Sequence, residues 1–392
     1  MDGFPTRFSN VAEARTRWGD RVDRLGRHLW KTDPQADAVV EAIESLPPGE
    51  GWRLFEEGIR GGAKAIPNAP KAMRDLLEWA THVPAWVDWD TCDKGGALLM
   101  RAGPLGGAVL GARALVLGYA SPGGNKPLVF SGRLKQQAKR RLDETARFVQ
   151  AVSRPGGMRP FADGWQITLK VRLIHAQVRR MILKSGRWDS NAWGHPVNQH
   201  DMVGTVLLFS VAIIDGLRKL GMHIEHEEAE RYVHLWRWVG RLIGTDEDVL
   251  PGSEAEAMRL ADLIALTMGD PDQDSRDLTR CLFEAAYDGC TTKGQIKQAE
   301  RNVMFGRLVC RELIGDDLAD KLDVPKVTLR HAMPMMKRFV GFTNRITRAM
   351  PLGERGAVAV GTFYWDRVVE IGLQNATYDF ALPKSLSATR AA

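Results

Sequence analysis

Two apolar stretches constrain first what this chain can become. Residues 103–120 read GPLGGAVLGARALVLGYA and residues 202–217 read MVGTVLLFSVAIIDGL. A helix that is apolar on all sides belongs in the middle of a large protein or in a bilayer. Crossing a bilayer takes about 20 consecutive apolar residues. The first stretch is glycine-rich and interrupted by Arg113, and the second runs without charge only from Met202 to Ile214, ahead of Asp215. Both are therefore expected to be central helices buried on all sides, with no membrane span, and other helices must be laid around them.

The rest of the chain supplies such helices. Helical spacing of apolar residues predicts further helices at 52–63, 71–81, 91–101, 131–153, 165–185, 225–244, 253–268, 272–287, 293–313 and 326–350. The 104–119 and 201–220 stretches complete the set, and residues 11–30 open the chain. Pro34, Pro47 and Pro48 read as punctuation. Strands are scarce, with short ones expected only at 358–364 and 368–371. The expected fold is all-α, one large multi-helix domain without internal repeats.

At 392 residues the chain can bury a core without disulfides or a structural metal. With 44% hydrophobic and 26% charged residues, intrinsic disorder is excluded. Cys92, Cys281, Cys290 and Cys310 contain no CxxC pair, which excludes a zinc ribbon and predicts reduced, mostly buried thiols. A net charge of +6 is mild, and basic runs such as Lys139–Arg140–Arg141 are short. A nucleic-acid binder concentrates its charge in a stripe, so no nucleic-acid partner is expected. The first residues are charged and lack the apolar core of an export signal, which predicts a cytoplasmic protein. No P-loop, GxGxxG fingerprint, GxSxG elbow or EF-hand loop is present.

One helix carries the most informative side chain. In residues 166–185, Ile167, Val171, Ile174, Val178, Met181 and Ile182 define an apolar face, and His175 sits on it. A histidine aimed at an apolar interior either finds a hydrogen-bond partner or offers its nitrogen to a metal. Arg172 and Arg179 stand one turn to either side, where they could meet the carboxylates of a bound haem or simply be solvated. Upstream, Arg141, Thr145, Phe148 and Val152 share another helix face. That places a cation and a hydroxyl among apolar residues, suited to polarising bound oxygen or to an ordinary salt bridge. A third constellation, His226, Glu230 and His234 at successive i+4 steps, could bind a metal or be a solvated acidic helix. His195 and His200 flank a turn and could cap the next helix, while His331 and Met333 to Met336 are expected to fill core gaps.

Taken in order, these motifs resemble the latex clearing protein (rubber oxygenase) family, which also includes the MpaB-type oxygenases. The resemblance rests on Val83-Pro-Ala-Trp-Val-Asp88-Trp89, Arg141-x-x-x-Thr145-x-x-Phe148-Val149 and Arg172-x-x-His175-x-x-x-Arg179. It continues through Trp193-Gly-x-Pro196-x-Asn198-Gln199-x-Asp201 and His234-x-Trp236-x-x-x-Gly240-x-x-x-Gly244, from about residue 80 to about 245. It implies a haem b in a globin-like helical core, with His175 as proximal iron ligand and Arg172 and Arg179 near the propionates. Arg141 and Thr145 fall on the distal side. The rubber-cleaving members have a lysine where this chain has Glu144, and a glutamate base where this chain reads Gly124-Asn125-Lys126. The missing base argues against polyisoprene as substrate, and Glu144 is either a replacement acid/base or a surface glutamate.

The expectation is therefore a haem-dependent oxygenase acting with O2 on a small lipophilic substrate, unsaturated or aromatic. Residues 1–80 would form an N-terminal helical extension, 81–350 the haem-binding domain and 351–392 a peripheral C-terminal segment. The alternatives are a non-catalytic haem- or gas-binding sensor and a cofactor-free helical lipid-binding protein.

Overall fold

The computed structural model describes residues 3–130 and 133–373. All regular structure among them is helical. The N-terminal part runs α1 (Val11–Trp18), α2 (Arg21–Arg27), α3 (Pro34–Glu44), α4 (Glu50–Gly61) and α5 (Lys71–Thr81). The middle comprises α6 (Trp89–Val109), α7 (Val116–Ala120), α8 (Lys126–Phe130), α9 (Arg133–Ser153), α10 (Asp163–Lys184), α11 (Ser190–Trp193), α12 (Gln199–Phe209), α13 (Val211–Lys219) and α14 (His226–Leu242). The C-terminal part is α15 (Glu254–Thr267), α16 (Gln273–Glu284), α17 (Lys293–Ile314), α18 (Asp316–Lys321), α19 (Met333–Ala349) and α20 (Gly353–Leu373).

Both apolar stretches are central, but neither is a plain rod. The first is α6 continuing into α7, kinked at Gly103–Pro104 and joined through a π-helical segment, Leu110–Leu115. Arg113 is accommodated by Asp215 and by the carbonyls of Ala212 and Leu313. The second breaks at Ser210, whose φ of −103° and ψ of −92° separate α12 from α13. The 21 residues Gln199–Lys219 are long and apolar enough to cross a membrane, yet 67% of their most apolar window is buried in protein.

Several sequence expectations give way to the structure. Residues 358–364 and 368–371 are not strands but part of α20. β-branched residues there favour a strand locally, but a helix lets Gly361, Trp365 and Val369 form one buried face against α6. A Cβ on Gly361 would collide with the Met100 carbonyl, so the two helices approach at backbone distance. The segment expected to be peripheral thus packs, as far as residue 373, on the central helix, and 374–392 lie outside the described residues. Pro34 does not punctuate a loop either. It occupies the first turn of α3, whose N-cap Asp33 accepts the Ala36 N–H at 3.1 Å. As for the thiols, Cys92 and Cys310 are buried, Cys281 and Cys290 are half-buried, and none of the four is joined in a disulfide among the described residues.

Candidate functional site

The chemistry-bearing residues lie on α9 and α10, which pack against each other. α10 buries the face that its apolar spacing indicates only towards its ends, through Ile167 and Ile182. Its buried stripe includes Thr168, Leu169, Arg172, Leu173, Ala176 and Arg179, while Val171, Ile174, His175, Val178 and Met181 are only half-buried. The reason lies in α3. Asp33 receives Arg172 bidentately, with Nε to Oδ2 at 2.6 Å and Nη2 to Oδ1 at 2.8 Å. Asp37, one turn further along α3, pairs with Arg179. Arg179 also donates to the carbonyls of Pro196 and Val197, at 3.2 and 3.0 Å. Two guanidiniums buried to within a few per cent are thereby held by carboxylates some 140 positions away in the chain.

Arg172 and Arg179 thus serve as clamps between α10, α3 and the loop preceding α12. Arg172 Nη1 has no hydrogen-bond partner among the described residues, whereas every nitrogen of Arg179 is engaged. Trp79 on α5 carries two cations, with Arg172 at 4.5 Å and Arg241 at 4.2 Å from its ring centroid. Gln199 ties the same region together, donating to Thr32 and Gly244 carbonyls and accepting from the Asp246 N–H.

While the clamps draw the adjoining side of α10 toward α3, an apolar stripe with a single imidazole in it, Val171, Ile174, His175, Val178 and Met181, stays only half-covered. Burial pushes the His175 pKa down to about 4, with the Arg179 and Arg141 charges adding to the effect. The ring is therefore neutral across the physiological range. Its Nδ1 is buried and has no hydrogen-bond partner among the described residues. His175 keeps part of its surface accessible, although its Nδ1 is buried. A buried nitrogen without a partner costs about 1–3 kcal/mol, so the site suits a ligand that takes up the imidazole.

α9 supplies the facing groups. Arg141 is close enough for its charge to act on both His175 and the buried phenol of Tyr119. The Thr145 hydroxyl donates to the Arg141 carbonyl at 2.8 Å, one turn back. Phe148 and Val152 are buried, and Phe148 sits edge-on to Phe209 and Trp236, with centroids 6.3 and 6.0 Å away. Glu144 is ion-paired with Arg140 at 3.1 Å. Tyr119 was not singled out in the sequence. The only available signal was a polar-tipped aromatic at the end of an otherwise apolar stretch. π-turns are frequent next to functional sites, and the one at Leu110–Leu115 directly precedes the helix bearing Tyr119.

The remaining constellations resolve otherwise. His226 and Glu230 meet Glu254, not His234, and the His226 side chain is largely exposed. His234 instead accepts the Asp88 N–H at 3.2 Å. The helix after the Pro196 turn is capped by Asn198, which accepts the Asp201 N–H at 2.9 Å, and not by His195 or His200. Of the residues expected to fill core gaps, Met333 is buried, while His331 and Met335 are exposed. A surface cavity of about 220 Å³ between α2 and α15, lined by Trp18, Arg24, Leu250 and Leu260 among others, shares no residue with the α9–α10 site.

Comparison with known proteins fits this architecture. Residues 99–345 match the family described as ER-bound oxygenase mpaB/B'/Rubber oxygenase, catalytic domain. The rubber oxygenase of Streptomyces sp. (strain K30) is 23% identical over 237 residues, which cover 58% of this chain and 56% of that protein. The alignment thus spans little more than half the length of this curated relative. The solved structure of latex clearing protein in its closed state superposes with a TM-score of 0.62 at 18% identity, covering 87% of this chain and 91% of that one. At that identity the likeness speaks for the fold. The matched segment contains α9 and α10 entire and exceeds half of the chain, and on that basis the protein belongs to the mpaB/rubber oxygenase catalytic-domain family of oxygenases.

Proposed function

We propose that this oxygenase-family protein is haem-dependent, binding haem b through His175 and acting with O2 on a small lipophilic substrate. The observation that carries the reading is the neutral imidazole at position 175, with a buried, unpartnered Nδ1, in the half-covered apolar stripe Val171–Ile174–Val178–Met181. Neutral imidazole is the form that ligates a metal. A flat apolar macrocycle with carboxylates at its rim suits that stripe and the spare N–H on Arg172.

Once bound, haem supplies the oxygen chemistry, and the protein sets ligation, polarity and access. His175 offers a lone pair and stays unprotonated because burial and two cations disfavour its charged form. Arg141 holds a permanent positive charge near enough to act on His175 and can stabilise negative charge developing beside it. Thr145 keeps a hydroxyl one turn from it, anchored to the Arg141 carbonyl. Phe148 and Val152 exclude water and favour a lipophilic substrate. Asp33 and Asp37 act at a distance by fixing the rotation of α10, which sets where His175 points.

The test is the visible spectrum of the purified protein, before and after addition of haem. The wild type is expected to show a Soret band that His175→Ala lacks. A wild-type protein that takes up no haem, or a variant with an unchanged spectrum, would refute the assignment.

A further inference from the structure

Exposed apolar surface is unevenly distributed over the molecule. Of the sixteen large hydrophobic residues that are exposed among the described residues, ten lie between Leu329 and Ile371. On α19 they form one stripe, Met335, Phe339, Phe342 and Ile346, at spacings of four, three and four residues. Phe339 and Phe342 are 66% and 63% exposed. Met350 and Leu352 carry the apolar surface around the turn, and Val360, Phe363 and Ile371 continue it along α20. The two helices pack on each other, and the inner side of α20 is held to α6 by Gly361, Trp365 and Val369. The hairpin is thus anchored on one side and unpartnered on the other among the described residues. A monomer rarely exposes a contiguous apolar patch of this extent without a use for it.

Charge indicates what would cover it. Residues 326–373 hold eight basic and three acidic residues, and so carry most of the chain's net +6. The three acids are already neutralised: Glu354 by Arg348, Asp366 by Arg154 and Glu370 by Arg367. Arg338, Arg345 and Arg355 are exposed and form no ion pair among the described residues. On α19, Arg338 and Arg345 flank one edge of the apolar stripe, where long side chains can lie along apolar surface and extend their charge outward. An apolar face edged by unpaired arginines is the pattern of a helix that lies in the headgroup region of an anionic bilayer. A second copy of the chain is a poorer fit, since its own patch brings no unpaired acid to meet these cations.

We infer that the α19–α20 hairpin is a peripheral docking surface for anionic lipid membranes. Phe339, Phe342 and Met335 would enter the acyl boundary while Arg338, Arg345 and Arg355 contact headgroup phosphates.

The test is co-sedimentation of the full-length protein with equimolar phosphatidylglycerol–phosphatidylcholine vesicles, compared with pure phosphatidylcholine. Binding is expected to be stronger to the anionic vesicles and to fall with salt. Phe339→Glu/Phe342→Glu should weaken it more than tenfold. Arg338→Gln/Arg345→Gln should cost about fivefold per arginine and flatten the salt dependence. Both phenylalanines point away from the core, so the helical circular dichroism of these variants should match the wild type. Failure to pellet with any vesicle at low salt would overturn the inference, as would pelleting that survives the double glutamate substitution. A concentration-dependent dimer abolished by those same substitutions, without vesicle binding, would overturn it in favour of self-association.

Discussion

Removing Asp33 should do more damage than its place in an N-terminal turn suggests. Its carboxylate has two tasks, capping α3 through the Ala36 N–H and pairing bidentately with Arg172 on α10. Asp33→Ala leaves the guanidinium buried, only 4% exposed, without a counter-charge. Breaking a buried pair in this way costs about 3–5 kcal/mol. Gln35 Oε1 at 3.2 Å and the Trp79 ring still contact Arg172, so the lower end, about 3 kcal/mol, applies. The lost cap adds about 1 kcal/mol. The expected loss is therefore about 4 kcal/mol, a large share of the 5–15 kcal/mol typical of a folded domain. Urea unfolding followed by far-UV circular dichroism measures it. Asp33→Asn, which keeps the cap oxygen, should fall about midway. Adding Arg172→Met to Asp33→Ala should recover about 3 kcal/mol, because the stranded charge is gone. A loss below about 1 kcal/mol in Asp33→Ala, or no recovery in the double variant, would refute the view that α3 sets the rotation of α10.

Three further outcomes are expected. Gly361→Ala forces a methyl into the Met100 carbonyl and should destabilise by about 1–3 kcal/mol or more, read as a lower urea midpoint, whereas Gly356→Ala on open surface should be neutral. Burial alone would raise the Asp201 carboxyl, but Arg7 at 2.6 Å and His200 outweigh it and hold its pKa at about 2. With a folded value below the unfolded one, this carboxylate stabilises the protein above about pH 4. That contribution, about 2 kcal/mol, is lost as pH falls from about 4 to about 2, and a pH series of unfolding curves should show a shallower acid loss in Asp201→Asn. Finally, Arg141→Ala should retain the Soret band expected of the wild type while slowing turnover on the order of a hundredfold. Loss of the band itself would assign Arg141 to haem retention instead.

Much of the helical layout follows from local pattern, because a helix closes its hydrogen bonds within its own segment. Lys71–Thr81 falls on the predicted span, and α9, α10, α14, α15 and α17 lie within two residues of it at each end. Long apolar stretches also announced a central place, though not burial on all sides, since Pro104 and Thr205 are exposed. Local reading failed where a distant neighbour outvoted a local preference. α20 is helical because its glycine and tryptophan fit α6, although its valines and threonine suit a strand. α3 was missed because a proline that looks like a stop is, at the first helical position, a start.

The sequence by itself determined that the chain is helical, that an imidazole stands in an apolar stripe between two arginines, and to which family it is related. Only the tertiary structure decided which side of that helix is buried. Arg172 and Arg179 turn inward because Asp33 and Asp37 await them on α3, and that rotation leaves His175 beside a partly covered apolar face. Periodicity can mark a face as apolar, but it cannot say what covers that face. The answer depends on charge pairs whose members lie some 140 residues apart, a distance no local pattern spans.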